Sequence, residues 1–454
     1  MSRLFGTDGV RGLANKELTP ELAMRLGRVA GFLAVKEGRG KVLIGRDTRL
    51  SGEMLSTALM AGITSSGADA YDLGIIPTPG VAYLCRTLEA DYGAVISASH
   101  NPFDDNGVKF FDKDGFKLSD EEENYIASFI VDDNGEFIRD ALPYPTAEGI
   151  GRIHKIEDAH LIYANYIKEI SKVSLKGYKI ALDCANGASY EVSPKVLESL
   201  GAELILLNAE PNGKNINQGC GSTHPEQIKE AVIRSGAYVG IAHDGDADRV
   251  VFVDEKGELV DGDHIMAILA LDLLERNELP NKAIAVTVYS NLGLKDVLLK
   301  NGAAVHITDN GDRYVLQEMK KSGLVLGGEQ SGHIILLNHN TTGDGLIAAI
   351  KLLEVLVRKQ KPLSELAAQM TTFPQLLVNV KVKDKSRVME SEVVKQAVRK
   401  ASEELNQKGE GRLFVRPSGT EPLIRVMGEA RDGVLVRRIV NEVAAAIASV
   451  EQED

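Results

Sequence analysis

Short apolar runs rich in β-branched residues alternate along the chain with segments in which apolar residues recur at helical spacing. The apolar runs predict strands at residues 41–47, 92–99, 178–187, 202–208, 238–244, 249–255, 283–290 and 323–330. The helical spacing occurs at residues 18–37, 53–67, 193–202, 224–236 and 264–279. Alternation of strands and helices over this length predicts layered α/β domains in which helices cover the sheets.

The pattern changes near residue 371, where antiparallel strands replace the strand–helix alternation. Alternating polar and apolar positions predict strands at residues 376–384, 411–422 and 423–430, followed by a closing helix at 433–450. Boundaries near 142–152, 253–263 and 367–376 then divide the chain into domains. We expect three α/β domains and a smaller α+β domain, at residues 1–150, 151–254, 255–370 and 371–454.

Composition narrows the class of protein. The chain has 454 residues, of which 44% are hydrophobic and 26% are charged, as in ordinary soluble globular proteins. A net charge of −13 argues against nucleic-acid binding, because binding to a phosphate backbone normally needs a basic surface. The absence of tryptophan and an aromatic content of only 5% also argue against base-stacking platforms.

The sequence gives little indication of membrane targeting, disulfide bonds or zinc binding. The N-terminus lacks an apolar signal region, and no window approaches the roughly 20 apolar residues of a membrane span. Cys85, Cys184 and Cys220 are widely spaced, which indicates neither a disulfide framework nor a zinc cluster. We therefore expect a soluble cytoplasmic protein that does not associate with a membrane.

The strand at 92–99 ends in a polar turn that contains Ser99 and His100, and Lys109 follows in the next extended segment. Residues 105–107 predict a turn before that segment. His100 is poorly placed to activate Ser99, because adjacent residues of an extended chain point to opposite faces, and no G-x-S-x-G elbow is present. A reactive serine would therefore need another activating group; the alternative is a hairpin with a polar tip.

The segment "HDGDADR" places Asp244, Asp246 and Asp248 directly after a predicted strand. Carboxylates this close repel one another unless a cation lies among them, and an all-oxygen ligand set favours a hard ion such as Mg²⁺. The alternative is an exposed acidic turn. A calcium EF-hand is excluded because Arg249 occupies the position that requires glycine and a strand follows the loop.

The segment "RPSGTEPLIR" combines hydroxyls, turn amides and two guanidinium groups, all of which donate hydrogen bonds to phosphate. The candidate phosphate-binding residues are Arg416, Ser418, Gly419, Thr420 and Arg425. A solvated turn is the alternative to this phosphate site. The two arginines favour phosphate binding.

Two further loops carry polar residues suited to a sugar phosphate. "GGEQSGH" presents Glu329, Ser331 and His333 at alternate positions, where they could bind sugar hydroxyls. In "FGTDGVRG", Arg11 could reach a phosphate or pair with Asp8, and the sequence alone favours neither. Together, the loops predict a site in which a metal acts on a phosphoryl group while a separate basic loop binds a second phosphate.

Four motifs resemble the α-D-phosphohexomutase superfamily in both sequence and order: "ISASHNPFDDNGVKFF", "DGDADR", "GGEQSGH" and "RPSGTEPLIRV". Three more are similar to the bacterial branch of that superfamily that acts on glucosamine phosphates: "LFGTDGVRG", "CGSTHPE" and "TTGDG". The resemblance covers essentially the whole chain. It implies three related α/β domains and a smaller fourth domain around a central cleft, with each domain contributing one loop.

The resemblance also implies an activity. Glucosamine 6-phosphate and glucosamine 1-phosphate would be interconverted, on the route to UDP-N-acetylglucosamine and peptidoglycan precursors, through a phosphoserine enzyme. Glucosamine 1,6-bisphosphate would be the intermediate and activator, Mg²⁺ the metal cofactor, and a homodimer the expected assembly. The nearest alternative is a phosphomannomutase or phosphoglucomutase of the same superfamily; a phosphosugar-binding regulator and a Mg²⁺-dependent phosphatase are more distant ones.

By the same resemblance, Ser99 would carry the phosphoryl group, and a phosphoserine oxygen would bind Mg²⁺ together with the three aspartates. His100 and Lys109 would flank the phosphate, with Arg249 and Arg11 nearby. Either Lys109 or Arg249 could help to move the proton of the substrate hydroxyl. The loop from Arg416 to Arg425 would bind the phosphate that is not being transferred.

Overall fold

The computed structural model describes residues 4–452 except 7, 39, 133, 140, 410 and 419–421. The chain divides into two compact units. Residues 1–289 and 303–368 form the first unit, and residues 290–302 and 369–454 form the second. None of the helices in the described part of the chain is long and apolar enough to cross a membrane.

The first sheet of the larger unit has six strands in the order β1-β5-β4-β2-β3-β6. β2, β3, β4 and β6 run parallel, whereas β5 is antiparallel to β4 and β1 is antiparallel to β5. The elements are β1 (Val10–Leu13), α1 (Pro20–Glu37), β2 (Lys41–Arg46), α2 (Gly52–Ser65), β3 (Asp69–Ile75), α3 (Thr78–Thr87), β4 (Tyr92–Ile96), β5 (Asp105–Asp112), α4 (Asp120–Ala127) and β6 (Ile153–Lys155).

The start of α1 shows how the local sequence sets an element boundary. The Thr19 side chain accepts a hydrogen bond from the Leu22 N–H, and Pro20 begins the first turn, where a missing N–H costs nothing. α1 and α2 bury their apolar faces in a core that includes Leu26, Leu59 and Phe110. This core supports the end of β4. The turn at residues 97–104, which contains Ser99 and is called the serine turn below, begins there.

The second sheet has five strands in the order β11-β10-β9-β7-β8. β7, β8 and β9 are parallel, and β10 and β11 continue the sheet in antiparallel fashion. The elements are α5 (Ala159–Ile170), β7 (Lys179–Asp183), α6 (Val192–Ser199), β8 (Glu203–Leu207), α7 (Glu226–Ser235), β9 (Val239–His243), β10 (Val250–Val253) and β11 (Leu259–Val260). The loop at residues 244–249, which contains the three aspartates and is called the acidic loop below, connects β9 to β10.

The third sheet has four strands in the order β13-β12-β14-β15, with only β15 antiparallel to its neighbour. The elements are α8 (Gly262–Glu275), β12 (Ala283–Thr287), α9 (Leu292–Lys300), β13 (Ala304–Thr308), α10 (Asp312–Ser322), β14 (Leu326–Gly328), β15 (Ile334–Leu336), α11 (Gly345–Lys359) and α12 (Leu363–Ala367). Short 3₁₀ turns occur at Ala147–Gly149 and Pro280–Lys282. α9 lies in the smaller compact unit although its sheet lies in the larger one.

The smaller unit contains an antiparallel sheet of three strands in the order β16-β18-β17. The elements are β16 (Gln375–Lys381), α13 (Lys385–Glu390), α14 (Glu392–Gly409), β17 (Arg412–Pro417), β18 (Leu423–Glu429) and α15 (Gly433–Gln452). Apolar residues of the sheet and of α15, including Val426, Ile439 and Val443, form its core. The predicted antiparallel strands and closing helix are confirmed.

One predicted turn is wrong. Residues 105–107 belong to β5 because they pair with β1, and Asn106 stands opposite Gly12. The amide of Asn106 is buried and donates to the Ser51 hydroxyl at 2.9 Å. The polar composition of this segment therefore reflects buried hydrogen bonds within a sheet, and the chain reverses earlier, at residues 101–104.

Candidate active site

Ser99 lies in a buried turn just beyond the end of β4 and has a left-handed backbone conformation, with φ at 52°. Such a φ is unfavourable for a residue with a Cβ, so the surroundings must hold it in place. The Ser97 hydroxyl accepts from the Ser99 N–H at 2.9 Å, and the Ser99 carbonyl accepts from Arg49 at 2.9 Å and from Asn217 at 2.8 Å. The serine is thus fixed by groups on both sides.

The turn also corrects the prediction that His100 points away from Ser99. That prediction assumed an extended chain, whereas the left-handed turn brings the Ser99 Oγ to 3.4 Å from the His100 Nδ1. The Ser99 hydroxyl nevertheless donates to a carboxylate oxygen of Asp244, at the shorter distance of 2.7 Å. The geometry therefore links the serine to the acidic loop more closely than to the histidine.

Arg49 holds the serine turn in place through hydrogen bonds, and the sequence analysis did not predict this role. Its guanidinium is buried and pairs with Asp47, with Nε 2.9 Å from a carboxylate oxygen. The same group donates to the carbonyl oxygens of Ser99, Asn101, Pro102 and Asp105. The only local signal for this role was the polar segment "RDTR" directly after a buried strand.

Asp244, Asp246 and Asp248 converge in the loop between β9 and β10. One ligand atom from each carboxylate lies within 4.8 Å of the others, and all three residues are buried. The interpretation of this segment as an exposed acidic turn is therefore wrong. Gly245 permits the close approach to the serine turn, because a Cβ at this position would lie 2.5 Å from the Ser99 carbonyl oxygen.

The acidic loop fits a hard divalent cation. One oxygen of Asp246 and one of Asp248, both Oδ1, are buried without a hydrogen-bond partner among the described residues. Burial, followed by the charges of Asp248 and Asp246, raises the pKa of Asp244 to about 8. Three buried carboxylates, two of which have an oxygen without a hydrogen-bond partner among the described residues, are the donor set that Mg²⁺ prefers, and a bound cation would relieve their repulsion.

Cationic side chains and a neutral histidine lie beside the acidic loop and the serine turn. The Lys109 Nζ lies 3.0 Å from Asp246 and 3.1 Å from Asp8. Burial opposes the charge on Lys109, but these carboxylates outweigh it and raise its pKa. His100 accepts from an Arg249 N–H at 3.1 Å, and burial together with that guanidinium lowers the His100 pKa to about 4, so the imidazole is neutral at pH 7.

The two alternatives for Arg11 can now be compared. Its guanidinium forms an ion pair with Asp8. Asp8 also pairs with Lys109 and Lys117, and Lys117 in turn lies 3.4 Å from Asp312. Although burial opposes ionisation, the three cations hold the pKa of Asp8 well below its usual range. Arg11 thus belongs to a charge network that reaches the acidic loop through Lys109.

The "GGEQSGH" loop follows β14 and contacts the acidic loop through one of its three predicted residues. The Ser331 hydroxyl donates to Glu329 at 3.1 Å, and neither side chain is buried. His333 is buried, with its Nδ1 3.5 Å from an oxygen of Asp248. Its Nε2 accepts from the Gly343 N–H at 3.1 Å. Glu329 and Ser331 therefore present polar groups to solvent, whereas His333 faces a candidate metal ligand.

The candidate phosphate loop lies in the smaller unit. Arg416 on β17 and Arg425 on β18 occupy directly opposed positions in the antiparallel register. Like charges in opposed cross-strand positions repel, and an anion between them would remove that repulsion. Ser418 is buried, and its N–H donates to the Leu423 carbonyl at 2.9 Å. The other two predicted residues, Gly419 and Thr420, lie outside the described residues.

Profiles of the phosphoglucomutase/phosphomannomutase family match nearly the entire chain. Alpha/beta/alpha domains I, II and III match residues 2–135, 162–257 and 261–373, and the C-terminal domain matches residues 377–446. The chain belongs to the phosphoglucomutase/phosphomannomutase family. Its fold class, three α/β domains followed by a smaller C-terminal domain, is therefore confirmed.

Relatives of this family member include two bacterial phosphoglucosamine mutases. The protein of Carboxydothermus hydrogenoformans is 52% identical over 448 residues, which cover 98% of this chain and 99% of that protein. The protein of Bacillus cereus is 50% identical over 452 residues, with the same coverage of both chains. The predicted membership of the phosphohexomutase superfamily, a group of isomerising phosphotransferases, is confirmed.

Solved structures with lower sequence identity share the fold. A phosphoglucomutase/phosphomannomutase family protein from Burkholderia thailandensis has a TM-score of 0.81 at 24% identity and covers 99% of this chain and 98% of its own. The N-acetylphosphoglucosamine mutase of Aspergillus fumigatus, solved with GlcNAc-6P and magnesium, has a TM-score of 0.68 at 18% identity and covers 98% of this chain and 96% of its own. A variant of that enzyme was solved in complex with glucose 1,6-bisphosphate.

Proposed function

We propose that this phosphohexomutase interconverts glucosamine 6-phosphate and glucosamine 1-phosphate through a phosphoserine at Ser99 and a 1,6-bisphosphate intermediate. The observation that carries the proposal is the 2.7 Å hydrogen bond from the Ser99 hydroxyl to Asp244 inside a buried carboxylate cluster. The choice of amino sugar is supported by the names of relatives that are about half identical over the full chain. Turnover with glucosamine phosphates is the direct test.

In the proposed reaction, a phosphoryl group passes from the Ser99 oxygen to the free hydroxyl of a hexose monophosphate, and the proton of that hydroxyl ends on the Ser99 oxygen as its bond to phosphorus breaks. The bisphosphate then turns, and its other phosphoryl group returns to Ser99. Asp244, Asp246 and Asp248 would hold Mg²⁺, which when bound supplies positive charge to the transferred group. Removal of Mg²⁺ with a chelator should therefore stop turnover, and Mg²⁺ should restore it.

Lys109 and Arg249 would stabilise the charge of the transferred phosphoryl group. Burial opposes their positive charge, but the aspartates of the loop raise both pKa values, so both side chains remain cationic at neutral pH. This favours charge stabilisation over proton abstraction for both residues. Neutral His100 would complete the set as a hydrogen-bond donor or acceptor.

The loop from Arg416 to Arg425 is proposed to bind the phosphate that is not transferred, while Glu329 and Ser331 bind sugar hydroxyls and His333 supports Asp248. One fixed phosphoserine can serve both O1 and O6 only if the sugar binds in two orientations. The same loop would then hold the idle phosphate in each of them. This arrangement predicts that both directions of the reaction depend on the loop equally.

Arg425→Ala should lower kcat/KM by about 10–100-fold in both directions, because a charge-assisted contact contributes about 1.5–3 kcal/mol. It should also increase the release of free bisphosphate during turnover. The measurement is steady-state kinetics in each direction with bisphosphate detected separately. Arg437→Ala is a matched control, since Arg437 is an exposed arginine on α15. A large loss in one direction alone would contradict a shared phosphate site.

Arg49→Lys should lower kcat by about 100-fold, because a lysine cannot reproduce the fork that holds several carbonyl groups and a small misplacement of the serine slows transfer. The measurement is kcat with folding verified by circular dichroism. Arg46→Lys is the control, since Arg46 is a partly buried arginine that pairs with Glu53 and Asp72. If a well-folded Arg49→Lys retains wild-type kcat, the hydrogen bonds of Arg49 do not position Ser99.

A second candidate function is phosphomannomutase or phosphoglucomutase activity, which the family profiles name directly. The chemistry at Ser99 would be the same for each hexose phosphate. Comparison of kcat/KM for the 1-phosphates of glucosamine, glucose and mannose separates these activities. We expect the highest value for glucosamine 1-phosphate, and a higher value for mannose or glucose would overturn the amino-sugar assignment.

A further inference from the structure

Thr78 contacts the acidic loop although it lies 168 residues before it in the sequence. It begins α3, and its hydroxyl donates to the Oδ2 of Asp246 at 2.7 Å. Its backbone N–H donates to the Asp246 carbonyl oxygen at 3.0 Å. Both residues are buried, so water does not compete strongly for these hydrogen bonds. Thr78 therefore forms hydrogen bonds to Asp246 through both its side chain and its backbone.

The two oxygens of Asp246 have different surroundings. Oδ2 accepts from Thr78 and also lies 3.0 Å from the Lys109 ammonium. Oδ1 is buried and has no hydrogen-bond partner among the residues that the structure describes. Two donors on one oxygen fix the rotation of the carboxylate and leave the other oxygen available to a cation. This is the arrangement expected of a carboxylate that binds a metal through a single oxygen.

We propose that Thr78 is a positioning residue for the metal site: its hydroxyl orients Asp246 so that Oδ1 faces the cation. The inference rests on the proposed binding of Mg²⁺ by the three aspartates. Lys109 supplies charge to the same oxygen, but its ammonium is shared with Asp8 and Asp248, so Lys109 does not define the rotation of the Asp246 carboxylate alone. Thr78 defines this rotation, because it lies at the start of a ten-residue helix and its backbone N–H is also hydrogen-bonded to the loop.

A purely structural role is the competing explanation, since the contact also joins α3 to the acidic loop. That role predicts lower thermal stability in any variant that weakens the contact, with metal affinity unchanged. The positioning role predicts a change in metal affinity even when folding is intact. Thr78→Val keeps the shape of the side chain and removes only the hydroxyl, whereas Thr78→Ser keeps the hydroxyl.

The test is isothermal titration of Mg²⁺, and of Mn²⁺ as a second probe, into the full-length wild type, Thr78→Val and Thr78→Ser. Each preparation is matched in Ser99 phosphorylation by intact mass. Thr87→Val serves as the control, because Thr87 is exposed at the other end of α3. We expect Thr78→Val to bind the metal about 10–100-fold more weakly, the usual effect of losing a partner of a metal ligand. Thr78→Ser and Thr87→Val should bind as the wild type does.

Wild-type affinity in a folded Thr78→Val would overturn the positioning role while leaving the proposed reaction intact. Equal weakening in Thr78→Val and Thr78→Ser would also overturn it, since the hydroxyl would then not be the cause. Failure of the wild type to bind either metal would overturn both this inference and the metal site. Turnover with glucosamine phosphates, measured separately, decides the proposed function itself.

Discussion

Ser99→Ala should reduce mutase turnover to the background of the assay, a loss of more than about 10⁴-fold, as when a covalent nucleophile is deleted. The variant has no oxygen to carry the phosphoryl group between the two positions of the sugar. The missing hydroxyl also removes the hydrogen bond to Asp244 but leaves the carboxylates in place. Metal binding should therefore survive in a variant that has lost turnover.

The measurement is conversion of glucosamine 6-phosphate to glucosamine 1-phosphate, with thermal unfolding as a check on folding. Ser199→Ala is the matched control, because Ser199 is exposed on α6 and its hydroxyl donates to the Val196 carbonyl of the same helix. Both variants should unfold close to the wild-type temperature. Wild-type turnover in Ser99→Ala would eliminate the phosphoserine mechanism.

Asp246→Asn should lower kcat by about 10²–10³-fold, the size of losing one preorganised electrostatic contact in an enzyme active site. The substitution removes one negative charge from the cluster and places an amide where Thr78 and Lys109 now donate to a carboxylate. Mg²⁺ affinity should fall together with kcat, because both depend on the same ligand set.

The matched control is Asp309→Asn, which removes an exposed carboxylate elsewhere in the larger unit. It should leave kcat and metal affinity unchanged. Raising the Mg²⁺ concentration should recover part of the kcat lost in Asp246→Asn. If metal titration and kcat are both unchanged in that variant, the buried aspartates are not a catalytic metal site.

Local sequence patterns were sufficient for many of the helices and strands and for the candidate chemistry of individual loops. Apolar runs such as residues 238–244 predicted buried strands because side-chain burial sets the backbone pattern directly. The loop "DGDADR" indicated a cation site because the three carboxylates are separated by small residues that let them converge. These features depend on neighbours in the sequence, so spacing and composition revealed them.

Contacts between distant segments could not be predicted in this way. Asn217 and Thr78 reach the serine turn and the acidic loop from 118 and 168 residues away, and neither has a distinctive local motif. The left-handed backbone of Ser99 was missed for the same reason, since it depends on the carbonyl contacts of Arg49. The prediction of a turn at residues 105–107 was wrong because β1, the strand that pairs with these residues, was not predicted.

Phosphorylation of Ser99 is the central claim, and intact-mass spectrometry tests it directly. The full-length wild type and Ser99→Ala are incubated with a hexose 1,6-bisphosphate, and the mass of each is measured before and after. We predict that the wild type gains one phosphoryl group, which fragmentation places on Ser99, and that Ser99→Ala gains none. An equal gain in both proteins, or turnover by a wild type that never carries the group, would contradict the phosphoserine mechanism.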